Sequence, residues 1–115
     1  MSRDAEILEE LYRVIAGRRG GDAAQSYTAQ LFADGRPRIA KKLGEEAAEV
    51  MVAALAQSRE QVIAESGDLL YHLLVLWAEH EIQPEEVWAE LDRRVGTSGI
   101  AEKASRAGGG EDGKD

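Results

Sequence analysis

Apolar residues recur at helical spacing through most of the chain, and no segment shows the alternation of apolar and polar residues that is typical of a strand. Residues 4–16 carry apolar side chains at i, i+4 and i+7, which predicts an amphipathic helix that ends near Gly17. A short helix is expected after Ser26, whose hydroxyl suits an N-cap. The pattern therefore favours an all-α fold.

Two long helices are predicted in the middle of the chain, and only a few residues connect them. Pro37 suits the first position of a helix that runs to about Ala56. Ser58 and Gln61 form a capping-box pattern before a helix that runs to about Glu79. So short a connection favours an antiparallel hairpin. The buried stripe of the first long helix is expected to consist of Ile39, Leu43, Ala47, Val50 and Ala54.

The last third of the chain predicts further helical segments and then a tail. Pro84 suits the start of a helix with acidic residues in its first turn, and residues 96–99 form a glycine-containing loop before residues 100–106. The glycine-rich, acidic residues that follow are expected to be disordered. We therefore expect one domain over residues 1–106, a bundle of four to five helices, and a tail over residues 107–115.

Composition and charge narrow the classes of function. The chain has 115 residues and a formal net charge of −8, and it has no basic stripe, so nucleic acid is not an expected partner. Since it has no cysteine, disulfides, thiolate chemistry and the usual structural zinc sites are excluded. No segment resembles a signal peptide or reaches the length of a membrane span, so we expect a cytoplasmic protein without membrane contact.

Acidic residues are clustered on both long helices, at spacings of three and four residues within each cluster. The first cluster consists of Glu45, Glu46 and Glu49, and the second consists of Glu65 and Asp68. In a hairpin that turns near Ser58 the two clusters fall at similar depth. Carboxylates brought together in this way repel one another, and the repulsion grows as burial lowers the effective dielectric.

Converging carboxylates predict a bound cation. Oxygen ligands without cysteine favour Mg²⁺, with Mn²⁺ as a possible substitute, and carboxylate-bound Mg²⁺ typically keeps waters and recruits substrate phosphates. The alternative is a pair of salt-bridged helix surfaces. A di-iron site of the Glu-x-x-His type is excluded, because Leu69 and Trp77 stand three residues before His72 and His80.

Several other polar residues have more than one interpretation. Lys42 could pair with the neighbouring acids or face the phosphates of a substrate. Arg18 and Arg19 are interpreted as part of a solvated turn, with phosphate contact as the alternative. His72 lies among leucines, and we interpret it as a hydrogen-bonded core residue rather than a catalytic one.

The pattern Glu-Glu-x-x-Glu followed by Glu-x-x-Asp resembles the MazG-like all-α nucleotide pyrophosphohydrolases. Residues 26–32 (SYTAQLF), 41–46 (KKLGEE), 68–72 (DLLYH) and 96–106 (GTSGIAEKASR) narrow the match, and together they resemble the phosphoribosyl-ATP pyrophosphatases of histidine biosynthesis. The similarity covers about residues 7–106. The last of these stretches makes it more specific than the acids alone.

This resemblance implies Mg²⁺-dependent hydrolysis of phosphoribosyl-ATP to phosphoribosyl-AMP and pyrophosphate, with water attacking the α-β anhydride. It also implies a homodimer in which the helices of each copy complete the bundle and the site of the other. The metal ligands that it implies are Glu46, Glu49, Glu65 and Asp68, with Glu45 as a further ligand or as the base that orients water. The phosphate contacts that it implies are Lys42, Lys103 and Arg106.

Two other functions stay open at this point. A housecleaning pyrophosphohydrolase for aberrant nucleoside triphosphates would share the acid clusters, although residues 96–106 argue against it. A non-catalytic helical interaction module would keep an apolar dimer face and would need no acid cluster. The response of the protein to Mg²⁺ separates this last class from the two enzymes.

Overall fold

A computed structural model of the chain describes residues 4–96 and 99–108. All regular structure within those residues is helical, which confirms the all-α class, but the described residues form six helices where four to five were predicted. The helices are α1 (Glu6–Ala16), α2 (Tyr27–Asp34), α3 (Arg36–Ala56), α4 (Arg59–Glu79), α5 (Pro84–Arg94) and α6 (Gly99–Gly108). None of these described helices is both long enough and apolar enough to cross a membrane.

The chain divides into two compact units, one ending at Pro84 and the other beginning at Glu85. Helices α1 to α4 belong to the first unit, while α5 after its first residue and α6 belong to the second. Helix α6 extends to Gly108, two residues beyond the end of the predicted helical domain. The rest of the predicted tail lies outside the described residues.

Helices α3 and α4 form the predicted hairpin, and they make the most extensive helix–helix contact among the described elements. Gln57 and Ser58 connect them, and the Ser58 hydroxyl caps α4 by accepting a hydrogen bond of 3.2 Å from the Gln61 amide. Because the connection is short and the two helices contact each other extensively, they run antiparallel. The hairpin and its N-cap are therefore confirmed.

The buried stripe of α3 is offset from the predicted one. It is buried or half-buried at Ile39, Leu43, Glu46, Val50 and Ala53. The prediction was wrong for Ala47 and Ala54, which are exposed. At about 100° per residue, positions seven and fourteen after Ile39 return to within about 40° of its direction, whereas the next positions lie about 60 to 80° away. Hydrophobicity alone does not place Glu46 on this stripe, because its side chain is acidic.

Helices α1 and α2 cover one end of the hairpin, where α1 packs on α4 and α2 packs on both α3 and α4. The largest fully buried side chains lie there, among them Ile15, Leu31, Leu74 and Val75. Ser26 caps α2 as predicted, since its hydroxyl accepts a hydrogen bond of 3.1 Å from the backbone amide three residues later. This end therefore contains most of the core.

Arg19 lies in an exposed turn, as predicted, but its side chain also contacts the folded structure. Its guanidinium donates hydrogen bonds to the backbone carbonyls of Ala78, at 3.0 Å, and Glu79, at 3.4 Å, where α4 ends. It also lies 5.9 Å from the centre of the Phe32 ring. The Glu79 carboxylate pairs with Arg36 at 3.2 Å. A cation at a helix C-terminus is stabilising, so these contacts anchor the end of α4.

In the second unit, α5 begins at Pro84 as predicted, and it is stabilised by ion pairs along its own surface. The Glu90 carboxylate accepts hydrogen bonds from Arg93, at 2.6 Å, and from Arg94, at 3.0 Å. These contacts lower the pKa of Glu90 to about 2. Because the partners lie three and four residues apart, the pairs stabilise the helix locally.

Replacing Arg19 by alanine is expected to lower the free energy of unfolding by about 1 kcal/mol, because carbonyls at the end of α4 lose their donors in a partly exposed site. Urea denaturation measures this change. Arg18→Ala is the matched control, since Arg18 is exposed, and it should stay within about 0.5 kcal/mol of the parent protein. Equal losses in the two variants would contradict the anchoring role of Arg19.

Candidate metal centre

Three carboxylates converge between the two helices of the hairpin. One oxygen from each of Glu46, Glu49 and Glu65 lies within 4.8 Å of the others. Helix α3 supplies the first two side chains and α4 supplies the third. Glu46 is buried, Glu65 is half-buried and Glu49 is exposed, so the group extends from the hairpin interior to the surface. The predicted convergence of the two acid clusters is present for these three residues.

Burial and the repulsion within this group are seen in the raised pKa of Glu65. Burial raises the pKa of its carboxyl, and the charges of Glu49, Asp68 and Glu46 raise it further. Its Oε1 atom is buried and has no hydrogen-bond partner among the described residues. A buried acceptor without a partner is costly, and a cation is the partner that would also remove the repulsion.

Two other predicted site residues flank the three converging carboxylates. Asp68 is exposed, one turn after Glu65, and its charge raises the pKa of Glu65. Among the described residues, Asp68 is not one of the three whose oxygens lie within 4.8 Å of one another. Glu45 is also exposed, and its Oε1 atom lies 3.3 Å from Nζ of Lys42. The roles that we assigned to Asp68 and Glu45 stay predictions.

Lys42 is the cation next to the carboxylate group. Its Nζ atom lies 3.3 Å from Glu45 and 3.7 Å from Glu46, one turn further along α3. The hydrogen bond with Glu45 raises the pKa of Lys42, and the charges of Glu45 and Glu46 raise it further. Lys42 was predicted either to pair with the neighbouring acids or to face substrate phosphates, and the structure shows the pairing with the acids. Its contact with substrate phosphate stays a prediction.

The other two predicted phosphate contacts lie on α6, in the second unit. Lys103 is exposed, and Arg106 is half-buried. They are three residues apart on one helix, so both can face the same side of α6. Their role in binding phosphate stays a prediction.

His72 is a buried, hydrogen-bonded residue, as predicted. Its Nδ1 atom lies 2.9 Å from the backbone carbonyl of Asp68, and its Nε2 atom lies 3.2 Å from the hydroxyl of Tyr27. No sequence pattern pairs Tyr27 with a histidine 45 residues away. The available signal was weak, since Tyr27 and His72 both lie in stretches that carry the family resemblance.

The chemistry of this centre follows from its ligand atoms. All three converging side chains are carboxylates, which are the ligands that Mg²⁺ and Mn²⁺ prefer over softer atoms. Lys42 compensates charge on the Glu46 side only, while Glu49 and Glu65 have no comparable cation within the described ion pairs. The arrangement is therefore suited to a divalent cation.

Comparisons with known proteins agree with this chemistry. Residues 8–95 match the family of phosphoribosyl-ATP pyrophosphohydrolase. The chain is 61% identical to the phosphoribosyl-ATP pyrophosphatase of Paramagnetospirillum magneticum over 93% of its own length and 98% of the relative. It is 62% identical to that of Rhodospirillum rubrum over 88% and 86% of the two chains, and 53% identical to that of Geobacter metallireducens over 92% and 97%. The chain belongs to the phosphoribosyl-ATP pyrophosphohydrolase family.

Proposed function

We propose that this protein hydrolyses phosphoribosyl-ATP to phosphoribosyl-AMP and pyrophosphate in histidine biosynthesis. The observation that carries the proposal is the convergence of Glu46, Glu49 and Glu65 across the hairpin of a chain that belongs to this family. Relatives with this activity in their names match the chain over nearly its whole length. A cytoplasmic location, expected from the sequence, belongs to the same proposal.

The residues proposed to hold Mg²⁺ are Glu46, Glu49 and Glu65, with Asp68 as a fourth ligand one turn along α4. The buried Glu65 oxygen without a hydrogen-bond partner supports this assignment, because a metal ion would satisfy it. When bound, Mg²⁺ supplies charge neutralisation for the phosphates and for the departing pyrophosphate. Mn²⁺ is expected to substitute for it, since both ions prefer oxygen ligands.

The proposed reaction forms a bond between a water oxygen and one phosphorus of the α-β anhydride, and it breaks the anhydride bond to release pyrophosphate. Glu45 is proposed to orient this water and to accept its proton, because it is exposed beside the converging carboxylates. Lys42, Lys103 and Arg106 are proposed to contact the phosphates. A chain with a net charge of −8 needs such local cations to bind an anionic substrate.

A second copy of the chain is proposed to cover the far half of the hairpin, the half that α1 and α2 leave open. Its apolar side chains are exposed, with Met51 and Ile63 each at 57% and Leu55 at 83%. Exposed apolar surface of this kind, next to a polar site, is typical of a protein interface. We propose a homodimer that buries this surface close to the acid clusters.

The proposed activity is tested by quantifying pyrophosphate after incubation with phosphoribosyl-ATP, ATP or dCTP, with and without Mg²⁺. We expect release from phosphoribosyl-ATP alone, loss of release with EDTA, and a decrease of about 100-fold in Glu49→Gln, because one ligand charge is removed. Glu60→Gln, which changes an exposed acid near the hairpin turn, should keep the activity. Release from ATP and dCTP would instead indicate a housecleaning enzyme.

Glu65→Gln is expected to raise the melting temperature of the metal-free protein near pH 7.5 and to remove its stabilisation by Mg²⁺. The raised pKa of Glu65 means that its stabilising contribution is present below the pKa of the unfolded chain and is lost as the pH rises through the folded value. The advantage of the variant should therefore shrink as the pH is lowered. Differential scanning fluorimetry measures both effects, and an unchanged response to Mg²⁺ would contradict the ligand role.

Leu55→Glu is expected to convert the proposed dimer into a folded monomer, because it would place a charge in an apolar interface. Sedimentation equilibrium reports the mass, and circular dichroism reports the fold. Val95→Glu is the control, since Val95 is also strongly exposed, at 78%, but follows α5 rather than lying on the hairpin. A monomeric parent protein, or a dimeric Leu55→Glu variant, would contradict the proposal.

A further inference from the structure

Two side-chain hydrogen bonds join the first turn of α2 to α4 beside the acid clusters. The Tyr27 hydroxyl lies 3.2 Å from Nε2 of His72. The Tyr71 hydroxyl is hydrogen-bonded to the hydroxyl of Thr28. The two bonds are similar in kind and lie at adjacent positions on both helices. They differ in what lies beyond them, because only the histidine continues toward an acidic residue.

The hydrogen bonds of His72 fix the positions of its protons. The backbone carbonyl of Asp68 can only accept, so the Nδ1 atom at 2.9 Å must carry the proton and donate it. In the neutral ring Nε2 then has only a lone pair, and the Tyr27 hydroxyl donates to it. A continuous chain of hydrogen bonds therefore leads from Tyr27 through the imidazole to the main chain of Asp68.

The imidazole is held in place from two sides. His72 is only 8% exposed, and its ring makes edge contacts with Tyr27, at 6.0 Å between ring centres, and with Tyr71, at 5.7 Å. A side chain confined in this way has few alternative rotamers. These contacts limit the orientations that the imidazole can adopt and favour its hydrogen bond to Asp68.

The segment of α4 that receives this hydrogen bond needs additional support. Gly67 lies in the helix interior between Glu65 and Asp68, and a Cβ there would meet no atom within 4 Å beyond the neighbouring residues and the nearby backbone of α4. An interior glycine destabilises a helix by roughly 1 kcal/mol relative to alanine and leaves its backbone freer to move. A second donor on the Asp68 carbonyl restrains this residue, and with it the direction of its carboxylate.

We propose that Tyr27 and His72 are a positioning pair for the second acid cluster, in which the Tyr27 hydroxyl stabilises the tautomer that the Asp68 carbonyl selects, and the imidazole restrains the backbone of Asp68. The inference rests on the metal role given to these acids under the proposed function. Neither residue belongs to the converging carboxylates. Outer residues of this kind typically contribute 10- to 100-fold to metal affinity or to activity.

The test compares Tyr27→Phe with Tyr71→Phe, since each variant removes one hydroxyl that joins α2 to α4 and keeps the ring. Titration calorimetry gives the Mg²⁺ affinity without substrate, and ¹⁵N spectra of the imidazole in the metal-free protein report the tautomer. We expect Tyr27→Phe to weaken Mg²⁺ binding about tenfold and to change the His72 spectrum. Tyr71→Phe should lose a similar amount of stability but keep the parent affinity.

A double-mutant cycle with His72→Asn tests whether the tyrosine acts through the imidazole. Asparagine keeps a donor near the position of Nδ1 but has no acceptor at the position of Nε2, so adding Tyr27→Phe should cause no further loss of Mg²⁺ affinity. Additive losses would overturn the proposal. Parent-like affinity in Tyr27→Phe, or equal weakening in Tyr71→Phe, would also overturn it. A parent protein that binds Mg²⁺ but releases no pyrophosphate would overturn the proposed activity and leave the positioning pair intact.

Discussion

Repulsion between carboxylates inside a helical hairpin is the constraint on which the rest of this structure depends. Glu46 is buried on the inward stripe of α3, where an apolar residue would stabilise the hairpin more, and Glu49 and Glu65 stand next to it. Lys42 compensates part of this charge on one side. The protein therefore sacrifices stability at the site that is suited to bind a cation, which is a common feature of functional sites.

The remaining elements of the first unit keep this strained pair of helices together. Helices α1 and α2 provide the core at one end, and Arg19 satisfies carbonyls at the end of α4. Near the acids, the hydrogen bonds of Tyr27 and Tyr71 connect α2 to α4. These contacts hold the two helices together and so offset part of the repulsion between the carboxylates.

The sequence predicted the helices well because their ends carry local signals. Ser26 and Ser58 cap their helices and Pro84 starts one, and each acts within a few residues of its own position. The convergence of the acid clusters could also be predicted, since a short connection fixes the register of a hairpin. Every one of these inferences uses spacing along the chain alone.

The parts that the sequence did not predict depend on contacts between distant residues. Arg19 reaches carbonyls 59 and 60 residues away, and Tyr27 reaches a histidine 45 residues away. Periodicity carries no information about such partners. The predicted buried stripe of α3 was wrong for a different reason. A prediction from hydrophobicity leaves Glu46 out of the core, although the position of Glu46 along the helix places it in the core.

The acid cluster accounts for the chemistry of the site but not for its choice of substrate. Carboxylates that hold a metal ion act on the phosphoanhydride, which every nucleoside triphosphate shares, so they cannot by themselves select phosphoribosyl-ATP. Selection requires groups that contact the rest of the substrate. In an acidic chain the informative groups are the cations, and Lys103 and Arg106 lie in the C-terminal stretch that made the family resemblance specific. Phosphate contact by Lys103 and Arg106 stays a prediction, which the family resemblance implies.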